Sequence, residues 1–234
     1  MSFQRLELRN VSRTYRLSQQ QAIPAVNQIS LTAAAGTVTV LLGRSGCGKS
    51  TLLNLAGAMD FPDSGDVLID GRSTSGMSDR QLTELRRNRI GFIFQSFQLL
   101  PTMTVLENVE LPLLLARKRG SAEAARARLR WVGLEGREES YPYQLSGGQM
   151  QRVAVARALV HEPEILIADE PTGHLDTASG DDILHLLQRA AREFGATLLM
   201  ATHSREAAAI ADVRVNIRDG GIASVERVEC VEER

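Results

Sequence analysis

Residues 37–53, TVTVLLGRSGCGKSTLL, constrain the fold more than any other stretch of the chain. Val38, Val40, Leu41 and Leu42 read as a buried strand. Gly43-Arg44-Ser45-Gly46-Cys47-Gly48-Lys49-Ser50, with Thr51 behind it, fits the phosphate-loop pattern G-x-x-x-x-G-K-[ST] and opens a helix. The glycines let successive backbone N–H groups turn inward into an anion site. The following helix adds its free N–H groups and the positive end of its dipole. Lys49 is placed to hold the β- and γ-phosphates, and the Ser50 hydroxyl to ligate Mg²⁺. The loop alone implies binding of a nucleoside triphosphate and nothing narrower.

At 234 residues the chain is long enough for one domain, or for one domain carrying a smaller lobe. Its formal net charge of −1 gives no bulk attraction to nucleic acid or to an anionic membrane, so no nucleic-acid partner is expected. No apolar run has the length of a membrane span, and the start, MSFQRLELRN, lacks the apolar core of a signal peptide. Two cysteines, Cys47 and Cys230, make no disulfide framework and suit a reducing cytoplasm. Cys47 reads either as a small filler in a free position of the loop or as a reactive thiol beside Lys49.

Along the chain, Leu6-Glu7-Leu8 and Ile29-Ser30-Leu31 alternate like half-buried strands around a polar loop from Arg16 to Pro24. Asp66 to Ile69 is a strand with a hairpin signal at Asp70-Gly71. Ser78 with Gln81 and Thr104 with Glu107 are capping boxes that open helices. Ile90 to Phe94 is a strand ending at Gln95. Residues 96–143 are helical throughout and interrupt an alternating α/β pattern, so they form a smaller lobe between 1–95 and 144–234. Ser146 and Gln149 make a third capping box, with a helix running to about His161. Ile165-Leu166-Ile167-Ala168 is an all-apolar strand, as a strand covered on both faces should be. An amphipathic helix over 179–194, a buried strand over 197–201 and a hairpin around Asp219-Gly220-Gly221 complete the pattern. The charged tail, Glu226 to Arg234, is expected to fray. The fold class is α/β: a P-loop NTPase core, mostly parallel with helices on both faces, an N-terminal antiparallel β subdomain and an inserted α-helical subdomain.

Two carboxylates, Asp169 and Glu170, end the apolar strand, which is costly unless they meet a cation. Successive strand residues face opposite ways, so Asp169 is expected to hold Mg²⁺ and Glu170 to orient or deprotonate an attacking water. Gln95 and His203 follow other apolar strands, whose C-terminal ends gather at the ligand crevice of a parallel sheet. Gln95 is thus a candidate for the metal and water, His203 for the γ-phosphate. Tyr15 either stacks on a purine or is an ordinary core or surface tyrosine. Leu145-Ser146-Gly147-Gly148-Gln149 is a second glycine-rich helix start. It either caps its own helix or completes the phosphate site of a second copy.

These motifs, in this order, resemble the nucleotide-binding subunit of ATP-binding cassette (ABC) transporters over nearly the whole chain. The resemblance rests on LSGGQ, ILIADE, Gly173-His174-Leu175-Asp176 and the late His203. It implies that two copies sandwich two ATP molecules, with Ser146, Gly147, Gly148 and Gln149 of one facing the phosphate loop of the other. By the same resemblance Tyr15 matches the adenine-stacking aromatic, Gln95 the glutamine joining the two lobes, Asp176 the dimer-interface aspartate and His203 the switch histidine. ADEPTG-x-LD and LLPTMTVLENVELPL look most like the macrolide-exporter and lipoprotein-releasing branch, which usually has Asn where this chain has His174. That branch implies export or extraction of a substrate through a separate permease, with a periplasmic adaptor as a further possible partner, and a place on the cytoplasmic face of the inner membrane. The segment from Gln95 to Leu115 is then expected to form the permease cleft, with Phe97, Leu99, Leu100 and Val105 as its apolar surface.

Overall fold

The structure, a computed structural model, describes residues 4–16, 22–204 and 206–228. In chain order the elements are β1 (Gln4–Arg16), β2 (Ala22–Ala34), β3 (Val38–Leu42), α1 (Lys49–Ala56), β4 (Ser64–Ile69), β5 (Arg72–Ser73), α2 (Asp79–Arg89), β6 (Ile90–Phe94), α3 (Val105–Leu115), α4 (Ser121–Trp131), α5 (Gly147–Leu159), β7 (Ile165–Asp169), α6 (Thr177–Phe194), β8 (Thr197–Thr202), β9 (Val213–Arg218) and β10 (Gly221–Arg227). Two sheets result: an antiparallel one in the order β2-β1-β4-β5, and a six-stranded one in the order β10-β9-β3-β8-β7-β6. In the second, all pairs are parallel except β10 with β9.

The six-stranded sheet separates two apolar cores, and the period of two along its strands assigns each residue to a side. Leu166, Ala168, Leu198 and Met200 enter the core made with α3 to α6. Ile165, Ile167, Leu199 and Ala201 enter the core shared with α1 and the antiparallel sheet. Both faces are covered, which is why these strands carry unbroken apolar runs. Leu41, Leu52 and Leu53 are fully buried on the second side, where truncation to alanine costs about 2–5 kcal/mol each.

The local start signals behave as their chemistry dictates. Ser78, Thr104 and Ser146 each accept from the backbone N–H three residues on, and Gln81, Glu107 and Gln149 each return a side-chain oxygen to the cap. Other expectations need correcting. Arg16 closes β1, and Ala22 to Pro24 already belong to β2, with Pro24 opposite Thr14. A proline fits there because β2 is an edge strand. α5 stops at Leu159, before His161, and α6 starts at Thr177 rather than Ser179 because Asp176 caps it. Glu226 and Arg227 do not fray; they pair with Arg214 and Val213. Cys230 and the rest of the tail lie outside the described residues.

Candidate functional site

The register of the large sheet lines up the residues that the sequence singled out. Leu42 is level with Thr202, Ala201 with Asp169, and Asp169 with Phe94. The phosphate loop, His203, the Asp169-Glu170 pair and Gln95 therefore leave four neighbouring strands at one edge. The phosphate loop, the carboxylate pair and Gln95 surround a cavity of about 320 Å³ lined by Tyr15, Ser45, Gly46, Gly48, Lys49, Ser50, Thr51, Gln95, Asp169 and Glu170, with Ile23 to Ala25 from β2, whereas His203 lines a separate cavity with Gly173, Leu175 and Asp176.

The loop's shape depends on its glycines. Gly48 has φ 102°, and a Cβ there would stand 2.1 Å from the carbonyl oxygen of Ala25. A Cβ on Gly43 would stand 2.5 Å from the carbonyl oxygen of Ile217. The loop thus rests on β2 and on the β9–β10 hairpin, which is tied in by Gly220 N–H donating to the Cys47 carbonyl (3.1 Å). Cys47 is half-buried and free. Lys49 is 5% exposed; its ammonium donates to the carbonyls of Gly43 (2.8 Å) and Arg44 (3.2 Å) and lies 3.7 Å from Glu170 Oε1.

Asp169 ends β7 half-buried, and its Oδ1 is buried without a hydrogen-bond partner. Burial first, and then the charge of Glu170, pushes its carboxyl up; the Ser50 hydroxyl bond and Lys49 oppose the shift. A buried, unpartnered acceptor beside a hydroxyl is a fitting seat for a hard cation such as Mg²⁺. Among the described residues no three His, Cys, Asp or Glu side chains cluster to hold a metal unaided. Glu170 corrects a simple strand reading: it does not face away from Asp169. It has left the strand with φ 46°, a left-handed turn tied by its N–H to the Ala201 carbonyl (2.9 Å), and both carboxylates line one cavity. His203 is exposed and has Nδ1 2.9 Å from Glu170 Oε2.

Gln95 lies against Gly173, where a Cβ would come 2.6 Å from its Nε2. The Tyr15 hydroxyl donates to Asp60 (2.9 Å), and the Arg13 guanidinium stands 5.1 Å from the centre of its ring. Ser146, Gly148 and Gln149 line a different cavity, with Arg152, Ser179 and Asp182, so within one copy they stand apart from the phosphate loop. Asp176 is exposed and accepts from the N–H and hydroxyl of Ser179, which hold its carboxyl below the usual value.

A further concavity, about 500 Å³ and largely apolar, opens between α2, β6, α3 and α5. Thr83, Arg86 and Arg87 of α2, Phe92 and Phe94 of β6, Leu111, Pro112 and Leu115 of α3, and Arg157 of α5 line it, together with Ile90, Gln98, Ala158 and His161. Gln98, Leu111, Pro112 and Leu115 of this lining fall within the segment from Gln95 to Leu115. Of the four apolar residues expected at the surface, Leu100 is exposed, Leu99 packs on the helical core and Val105 is fully buried; none of the four lines this groove. No contiguous stretch of sequence could have signalled a groove assembled from four elements.

The family model described as ABC transporter matches residues 26–173. The chain belongs to the ABC transporter family. An ABC transporter ATP-binding protein of Thermotoga maritima is 45% identical over 224 residues, covering 95% of each chain. MJ0796 of Methanocaldococcus jannaschii is 41% identical over 236 residues, covering 98% of this chain and all of that one. Its dimeric cassette structure superposes with a TM-score of 0.87 at 40% identity over 95% of this chain and 98% of that one, and a post-hydrolysis dimer with ADP and Pi also scores 0.87. The macrolide export ATP-binding/permease protein MacB of Chlorobaculum tepidum is 41% identical over 92% of this chain, which spans 33% of that longer protein. This fits the macrolide-exporter and lipoprotein-releasing branch. The chain is thus an ATP-binding and ATP-hydrolysing subunit of an ABC transporter. Among the described residues no helix is long and apolar enough to cross a membrane.

Proposed function

We propose that two copies of this chain close over two Mg²⁺-bound ATP molecules and that their cycle of closing and parting drives a separate transmembrane partner. The observation that carries this reading is the division of one site between two places. The phosphate loop, Asp169, Glu170 and Gln95 share one cavity, while Ser146, at a second helix N-terminus, lines another. A second copy turned through a two-fold axis brings the missing half. ATP would be cradled by the backbone of residues 43–48 and by Lys49, with Thr51 beside the phosphates and Tyr15 against the base. Ser50, Asp169 and Gln95 would hold Mg²⁺, which neutralises charge developing on the phosphates. Glu170 orients the attacking water and accepts its proton. His203 steadies Glu170 and reaches the γ-phosphate. Asp176 and His174, on the turn before α6, meet the facing copy.

The apolar groove between α2, β6, α3 and α5 is the seat for a cytoplasmic segment of the transmembrane partner. In MacB and in SyfD of Pseudomonas syringae the matching region covers only 33% and 34% of a single ATP-binding/permease protein. By analogy the partner here is a permease, and the substrate class is that of the branch: a lipoprotein, drug or peptide-like molecule exported or extracted at the outer face. The test is the Glu170→Gln variant sized with and without ATP and Mg²⁺. The expected result is a doubling of mass with two ATP retained per dimer; a monomer saturated with ATP would overturn the reading.

A further inference from the structure

Near the C-terminal end of α5, Arg157 turns its guanidinium onto the chain just beyond Gln95. One terminal nitrogen donates to the Phe97 carbonyl (2.8 Å) and the other to the Gln98 carbonyl. Those two residues are both left-handed, with φ 60° and 54°. Two successive side-chain-bearing residues in that region are strained and persist only where the surroundings hold them. Local bonds alone, Phe97 N–H to the Phe94 carbonyl (3.2 Å) and Gln98 N–H to Ser96 (2.6 Å), close the turn. Arg157 supplies its tertiary anchor. Burial lowers the pKa of this arginine, and no neighbouring carboxylate offsets the shift. Its fork is spent on backbone oxygens. Earlier on the same helix, Gln151 donates to the Pro171 carbonyl (2.7 Å), just past Glu170.

The same guanidinium lines the groove between the lobes, together with Gln98, Arg86 and Arg87. Gln95, two residues before the clamped turn, lines the cavity that holds Asp169 and Glu170. We propose that Arg157 is a positioning residue for ATP hydrolysis: by gripping the carbonyls of Phe97 and Gln98 from the groove side, it keeps Gln95 in the nucleotide cavity. Whatever seats in the groove meets the side chain that sets Gln95. The inference rests on the role given to Gln95 above. An arginine is required because its planar fork spans two carbonyls, whereas a lysine ammonium is a point donor.

The test is a double-mutant cycle on the intact chain, with Arg157→Gln, Arg157→Lys, Gln95→Ala and the Arg157→Gln/Gln95→Ala pair, reading kcat, KM for ATP and the Mg²⁺ concentration for half-maximal rate. Arg157→Gln is expected to lower kcat by about 10- to 100-fold, as a misplacement of about 1 Å can. The Mg²⁺ requirement should rise and KM for ATP should stay within about threefold. Arg157→Lys should recover part of the loss. The double variant should be no slower than Gln95→Ala, because the two changes remove one interaction chain. Additive losses, an equal fall in kcat and in ATP affinity, or an unchanged kcat in a folded variant would overturn the proposal. If Arg157→Gln fails to fold, Arg157→Lys decides: a loss confined to kcat and Mg²⁺ supports the relay, and a purely thermal loss refutes it. Gln95→Ala with a normal kcat would instead remove the site assignment beneath it.

Discussion

Glu170 Oε2 lies 2.9 Å from His203 Nδ1, while Oε1 of the same carboxylate lies 3.7 Å from the Lys49 ammonium. One carboxylate is thus fixed between the phosphate loop and the end of β8. Its left-handed backbone aims it at the cavity, and the histidine holds its rotation. Replacing His203 with alanine should lower turnover by about 100-fold, the lower end of what a positioned proton-transfer group contributes. ATP binding should change little. Phosphate release and nucleotide titration check both parts; a normal rate would show that Glu170 needs no such brace.

Ser146 caps α5, and the proposal gives it a second task at the facing copy's nucleotide. Ser146→Asp separates the two. Aspartate caps a helix as well as serine does, so the melting temperature should stay within about 2 °C. The added negative charge should abolish ATP-driven dimers in the Glu170→Gln background, read by light scattering. Dimers that persist would leave Ser146 with capping alone.

Asp169 gives a dependence on pH. Its carboxyl is raised above the ordinary value chiefly by burial. A raised acid stabilises the fold below its unfolded pKa of about 3.9 and loses that contribution as pH rises through the folded value. At neutral pH this group therefore costs the nucleotide-free chain stability relative to low pH. Asp169→Asn should raise the melting temperature at pH 7, with the gain shrinking towards pH 4, and should cut Mg²⁺-dependent turnover by at least about tenfold. A lower melting temperature at pH 7 would contradict the assignment.

The groove is tested by Leu111→Arg, which places a further cation beside Arg86, Arg87 and Arg157. Desolvating an unpaired charge there is costly. Co-purification with a co-expressed transmembrane partner should fall by about tenfold or more, equivalent to about 1.4 kcal/mol, while ATP-driven dimers of the Glu170→Gln background persist. Undiminished co-purification would move the docking surface elsewhere.

Much of this site is legible in sequence because its parts are local. The phosphate loop needs only its glycines, lysine and flanking pattern, and the caps at Ser78, Thr104 and Ser146 need only their partners three residues on. Gln95, Asp169 and His203 are legible because each ends an apolar run, and parallel strands bring their ends together. Other features depend on distant chain. The left-handed turns at Phe97, Gln98 and Glu170 occur at residues with no preference for them, so neighbours impose them. Arg157 reads as one more charge on a helix until its carbonyl partners, 59 and 60 residues away, are known. Val105 looked like partner surface because apolar character does not say which neighbour it meets; packing put it in the core.

The contact between Gly48 and Ala25 has an implication for how this family member can vary. With 2.1 Å between a would-be methyl and a main-chain oxygen, the smallest possible side chain would prise the β subdomain off the nucleotide loop. The nucleotide loop and its seat on β2 share this one close approach, beside the apolar core that joins the two sheets. A variant at that position should displace β2 from the nucleotide loop and weaken affinity together, so one substitution would be felt in assembly as well as in binding.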